Sequence, residues 1–297
     1  MSVTATAVNR EFLELVRSQE GMDKIAQESQ DVLSTKVYED SFCEKVIPSK
    51  PITVPECYVD QTYDVIYRQE WIDPDAVAFV MDMDAQPTGQ FIQGERYIVP
   101  FFKIMTPRYW KTKQQIRVYP YPITDFIEKN GSAEIIKQKD GYFVDLCDAA
   151  VTASGNTVAG GSVLVPTRED FVNLFNLLDA NELESKRLLM RKADFNRLLQ
   201  WNAVDLDVQA GKTATDGWTS ASILGREVIV TVKDEIITPG YVYCFTDPNF
   251  IGKHYTLEEL AFELEKRFQM IQFEVSYEMG MSFGNIYGVA RLAIPQS

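Results

Sequence analysis

Apolar residues along this chain recur every three or four positions in some stretches and every second position in others, and the changes of period divide it into elements. Near the N-terminus Phe12, Leu15, Val16, Met22, Ile25, Ala26, Val32 and Leu33 keep helical spacing after Asn9, a suitable N-cap. One amphipathic helix or two is predicted, with Gly21 as the weak point. Between Val37 and Tyr58 the prolines Pro48, Pro51 and Pro55 interrupt any regular element, which predicts an extended arm. Ala76 to Met81 and Tyr97 to Ile104 then read as strands, separated by a polar tip holding Asp82, Asp84, Pro87, Gly89 and Gly94. A protruding two-stranded hairpin is marginal in water by itself. Phe79, Phe91, Phe101 and Phe102 therefore require a packing surface, and a neighbouring copy of the chain is the natural one.

A long helix is predicted from about Ala133 to Thr152, with Ile135, Tyr142, Leu146 and Ala149 or Ala150 on one face and Gly141 tolerated inside. Gly155, Gly160 and Gly161, set among Ser and Thr, mark a flexible joint and a domain boundary. Beyond it Thr167 and Asp170 form a capping signal for a helix that buries Phe171, Leu174, Phe175 and Leu178. Lys186 to Arg191 reads as a strand and Ala193 to Trp201 as a helix. The C-terminal third is densest in pattern. Asp216-Gly217-Trp218 makes a turn, Ile223-Leu224-Gly225-Arg226 leads into a strand to Val232, and Thr238-Pro239-Gly240 into another at Tyr241 to Phe245. Thr256 and Glu259 read as a capping box for a helix burying Leu257, Leu260, Ala261, Leu264 and Phe268. Ile271, Phe273, Val275, Tyr277 and Met279 then alternate with polar residues, predicting a strand with one buried and one wet face. Gly284-Asn285 is read as a hairpin turn into Ile286 to Ile294. No internal repeat is present, and the fold class is α+β.

The 297 residues have the apolar and charged fractions of an ordinary globular protein. No apolar run is long enough to span a membrane, and Ser2 to Arg10 lacks the pattern of a signal peptide, so folding in the cytoplasm is expected. A net charge of −14 argues against general binding to phosphate backbones, where affinity comes from Lys and Arg.

Chemistry is sparse. Cys43, Cys57, Cys147 and Cys244 are scattered, which predicts reduced thiols and neither a zinc site nor a disulfide framework. His254 is the only histidine and is expected to be solvated, just before the capped helix. Gly211-Lys212-Thr213 resembles the end of a phosphate-binding loop, but Leu206 stands where the pattern needs glycine. Asp73, Asp75, Asp82 and Asp84 lack calcium-loop spacing. Ser154 and Ser162 lack a nucleophile elbow, and Asn130-Gly131-Ser132 has meaning as a glycosylation site only after secretion. Trp71, Trp110, Trp201 and Trp218 read as packing residues. No catalytic, cofactor-binding or metal-ligating residue is assigned, no cofactor is expected, and an enzyme is not the reading these residues favour.

Taken in order, the elements resemble the major capsid proteins of tailed double-stranded DNA bacteriophages, the Hong Kong 97-like fold shared with encapsulin shells. The local matches are Leu188-Leu189-Met190 leading into Asp194 to Trp201, Leu224 to Val230 leading into Phe250-Ile251-Gly252, Tyr277 to Gly280, and Gly284-Asn285 with Gly288-Val289-Ala290. The resemblance implies an N-terminal arm (1–57), an extended hairpin loop (58–105), a peripheral domain with the spine helix (106–160), an axial domain (161–252) and return strands (253–297). It implies a structural protein that self-assembles as pentamers and hexamers into an icosahedral shell around a DNA genome. Portal, scaffold and decoration proteins are the implied partners, with packaged DNA nearby, no membrane, and assembly in the host cytoplasm. A cleaved N-terminal scaffolding region, found in some members, is not expected here. Some members weld neighbours through a lysine in the extended loop; Tyr67 to Phe102 contains none, so that chemistry is not expected. The alternatives are an encapsulin-type compartment and, more remotely, a cytosolic nucleotide-binding enzyme resting on Gly211-Lys212-Thr213.

Overall fold

The computed structural model describes residues 41–60, 65–73, 94–118, 123–161, 165–198, 221–233 and 235–296. The expected N-terminal helix, the strand at 76–81 with its acidic tip, Trp201, Gly211-Lys212-Thr213 and Asp216-Gly217-Trp218 lie outside them.

The described chain opens with α1 (Phe42–Val46) and β1 (Lys50–Pro51), then a ribbon of β2 (Tyr58–Asp60), β3 (Val65–Trp71) and β4 (Arg96–Met105). Next come β5 (Tyr109–Thr112), α2 (Lys113–Val118), the long helix α3 (Ile123–Ser154) and β6 (Thr157–Ala159). Then follow α4 (Arg168–Asp179), β7 (Arg187–Arg191), α5 (Lys192–Leu198), β8 (Ala221–Ile223), β9 (Arg226–Thr231) and β10 (Tyr241–Phe245). Two long strands, β11 (Gly252–Arg267) and β12 (Met270–Phe283), and a short one, β13 (Val289–Ala293), complete it. The large sheet runs β1-β11-β12-β4-β3-β2, with β5 also on β12; the small one runs β6-β13-β10-β7-β9-β8.

Helix α3 shares one core with the inward face of both sheets. Ile135, Phe143, Cys147 and Val151 pack with Phe273, Val275, Tyr277 and Met279 of β12, and with Leu189, Ile229, Tyr243 and Phe245 of the small sheet. Gly131 allows the close approach to β12, since a Cβ there would lie 2.9 Å from Val275 Cγ2. On the other side of the small sheet, Leu188, Met190, Val242 and Cys244 meet Phe171, Leu174 and Leu178 of α4 in a second core. Strands buried on both faces explain why β7 and β10 read as unbroken apolar runs. The α4 cap is as expected: the Thr167 side chain accepts from the Asp170 N–H while the Asp170 carboxylate accepts from Thr167. Leu224 (φ 49°) and Gly225 (φ 80°) make the two-residue turn between β8 and β9, where left-handed backbone suits the twist of a hairpin.

Several expectations are corrected. Residues 256–268 form a strand, not a helix: β11 pairs with β12 along its length, and Leu260 and Phe262 are buried while Ala261 is half-buried and Glu263 exposed. The stretch has good helix formers, but long antiparallel pairing outweighs propensity, and two register shifts near Glu258 disguise the period of two. Thr256 is no cap; its hydroxyl bonds Tyr277 and Ser49. His254 lies in β11 and is buried. The polar face of β12 is not wet either, since Gln272, Glu274 and Ser276 are buried. Gly284-Asn285 is no hairpin, because β12 and β13 belong to different sheets; both N–H groups donate to Ile251 O as the chain crosses over. The partner of β4 is Val65–Trp71, so the hairpin begins earlier than the apolar run at Ala76 indicates. Part of the arm is helical and in the main core, through Phe42, Cys43 and Val46. On α3, Ala150 is buried and Ala149 exposed. The joint after α3 is tied down: β6 pairs with β13, and Gly160 and Gly161 donate to Ala293 O and Asp170 Oδ1.

Candidate assembly surface

The ribbon β2-β3-β4 extends the large sheet past the helix that covers it. At its root Phe102 packs on Tyr142 of α3, with ring centroids 4.6 Å apart. Alternation then places Pro100, Ile98 and Arg96 on the same face, opposite Tyr67, Gln69 and Trp71 of β3. Tyr58 stacks on Tyr67 at 5.9 Å, and the Arg96 guanidinium sits 3.9 Å over the Trp71 ring. Trp71 is 62% exposed, Tyr58 56% and Ile98 54%, so this face is aromatic and open. The opposite face is covered by its own chain around β4: Val99 packs with Ile52 and Tyr255, and the Tyr255 hydroxyl donates to Glu70 at 2.6 Å. Phe101 and Phe102 thus find their packing within the chain, and the aromatic face leaves Tyr58, Trp71 and Ile98 exposed, with Tyr67 half-buried beside them. Tyr, Trp and Arg in such a patch are the residue types that dominate interface energy.

A second exposed apolar point is the β11–β12 turn. Arg267 pairs with Met270, Phe268 is 95% exposed at φ 51°, and Met270 and Trp110 are exposed beside it. Trp71 and Trp110 are therefore surface residues rather than packing residues.

The arm is anchored by buried charge. Lys139 of α3 is fully buried and paired with Glu44 of α1, with its ammonium 5.3 Å from the Tyr277 ring. Burial opposes the charge, but Tyr277, Cys43 and Glu44 hold the Lys139 pKa above the ordinary lysine value. Asp140 accepts from Ser41 Oγ (2.7 Å), the Cys43 N–H (3.2 Å) and Lys233 Nζ (2.6 Å). His254 packs beside this network, with Nδ1 3.3 Å from Ile47 O and 3.6 Å from Glu44. Burial and then Lys139 depress its pKa to about 4, so it is neutral near pH 7 and Nδ1–H donates to Ile47 O. These residues clamp α1 to α3; a lysine four residues from both Ile135 and Phe143, on the buried stripe of the helix, is the available sign of them in the sequence.

Among the described residues the remaining candidates form no metal-binding group. Asp73 is exposed, while Asp75, Asp82, Asp84 and Ser162 lie outside the described residues. Ser154 Oγ donates to Val151 O at the end of α3 and accepts from the Asn156 N–H. Ser132 is buried within α3. Cys43, Cys147 and Cys244 are buried free thiols with pKa values raised by burial, and Cys57 is half-buried. Among the described residues no helix is long and apolar enough to cross a membrane.

No protein-family model matches the chain, and no curated sequence does. Solved structures do. One from Microbacterium phage Oxtober96 aligns over 87% of this chain and 91% of its own, at TM-score 0.61 and 13% identity. The capsid of cyanophage P-SCSP1u aligns over 88% of both at 0.61 and 12%. A virus-like particle from Pyrococcus furiosus aligns over 89% and 98% at 0.56 and 14%. At these identities the likeness is one of architecture, and it establishes that this chain has the α+β, Hong Kong 97-like capsid fold.

Proposed function

We propose that the chain is the major structural protein of an icosahedral shell that encloses the double-stranded DNA of a tailed bacteriophage. The observation that carries this is the open aromatic face of the ribbon, on a chain whose fold is that of capsid subunits over most of its length. A sheet that outruns its own helix leaves apolar surface suited to another molecule. When that molecule is the next copy, the contact is heterologous and closes into rings. In this reading residues 1–57 are the arm, 58–105 the extended loop, 106–160 with 253–297 the peripheral domain, and 161–252 the axial domain. Scaffold, portal and decoration proteins would join the shell by their own contacts. The likeness to the Pyrococcus furiosus particle favours a second reading, a compartment around protein cargo.

Electron microscopy of particles purified after expression, with analysis of nuclease-protected contents from infected cells, tests both. Closed shells holding long duplex DNA support the first and protein-filled shells the second. A lasting monomer overturns both.

A further inference from the structure

A cavity of about 240 Å³ lies where the arm passes the start of β11, lined by Ile47, Lys50, Arg187, Asp247, Lys253 and His254 among others. Its cations come from three separate elements: Lys50 from β1, Arg187 from β7 and Lys253 from β11. Among the described residues neither Lys50 nor Lys253 has an acid within ion-pair distance. Arg187 is partly engaged, by Val46 O at Nη1 and by Glu227 at Nε, 3.1 Å each. The single carboxylate of the lining, Asp247, accepts at Oδ1 from Asn249 N and Nδ2 at 3.0 and 2.9 Å, in its own turn. The three cations repel one another across this small cavity, and the ion pair of Arg187 with Glu227 neutralises only one of them, so an anion held among them relieves the repulsion.

We propose that this cavity is an oxyanion site, held by Lys50, Lys253 and Arg187 between the arm and β11. The ligand is a group with several anionic oxygens, either a free phosphate ion or a side-chain carboxylate from a second copy. Such a group neutralises the cations and bridges arm to sheet at the point where the buried clamp ends. The site belongs to the single chain and does not depend on the shell reading, except for the second source.

Equilibrium dialysis with radiolabelled inorganic phosphate, at constant ionic strength in chloride, tests it on dilute subunits and on whatever assembly they form. Subunits are expected to take up phosphate saturably, and Lys50→Ala/Lys253→Ala to bind it about a hundredfold more weakly, the loss of two charge-assisted contacts. Lys192→Ala/Lys266→Ala, the same charge change elsewhere, is expected to bind normally. Uptake retained in the assembly identifies a free ion as the ligand; uptake lost on assembly identifies a neighbour's carboxylate. Absence of saturable uptake by subunits, or equal weakening in both double variants, overturns the site.

Discussion

Acid should loosen this subunit through His254 in a way that can be separated from every other titration, because the chain has no other histidine. In the folded chain the ring is buried beside Lys139 and Glu44, and its pKa is depressed from 6.5 to about 4. The unfolded chain takes up the proton below pH 6.5, while the folded one resists until about 4. The neutral ring's contribution is therefore intact above pH 6.5 and is lost as pH falls towards 4. At about 1.4 kcal/mol per pH unit, that window is worth about 3 kcal/mol. The perturbation is His254→Gln, which removes the titration and keeps a polar group. Guanidinium unfolding of dissociated subunits, in phosphate-free buffers from about pH 7.5 to about pH 4, gives the two stability curves. Carboxylates titrate in both proteins, so the difference between curves isolates His254. The wild type is expected to lose about 3 kcal/mol more than the variant across the window. Curves parallel to within about 0.5 kcal/mol would refute the buried, neutral assignment, as would an imidazole resonance titrating near 6.5.

The buried lysine makes a second prediction: Lys139→Met should cost about 3 kcal/mol by leaving the largely buried Glu44 carboxylate without its cation, and Glu44→Gln/Lys139→Met should recover much of it in denaturant unfolding. Gly131→Ala should lower stability by about 1–3 kcal/mol, read in the same assay, because its Cβ would meet Val275. Phe268→Gly should stabilise the isolated subunit by about 1 kcal/mol by relieving a left-handed aromatic residue, seen as a higher Tm before assembly. Trp71→Ala should leave subunit stability within about 0.5 kcal/mol but weaken association by about 2 kcal/mol, measured as a rise in the concentration needed for assembly.

Much of the fold was legible because its elements obey one local rule at a time. Thr167 with Asp170 marks a helix start that the structure keeps, the run Tyr241 to Phe245 is β10 residue for residue, and the long helix contains the expected Ala133 to Thr152 but begins about three turns earlier, at Ile123. The failures share a cause: pairing between distant segments overrides local pattern. Leu257 to Phe268 has the composition and spacing of a helix, yet it is a strand because β12 offers backbone partners along its whole length. His254 reads as a solvated residue before a helix only while the segment after it reads as helical; as part of β11 it is buried. Gln272, Glu274 and Ser276 looked wet because alternation reports polarity, and the structure buries them all the same. The surface itself was half legible. A hairpin with too many aromatics was evident, but Phe101 and Phe102 turn inward, and the open positions are Tyr58, Trp71 and Ile98, whose face only the register of β3 on β4 reveals.

The most direct test of the central claim is an electron cryo-microscopy reconstruction of the assembled protein at side-chain resolution. A closed icosahedral particle is expected, in which the face bearing Tyr58, Tyr67, Trp71 and Ile98 of one copy is buried against the next. A particle that leaves this face open to solvent, or a protein that stays a single chain at every concentration, would contradict it.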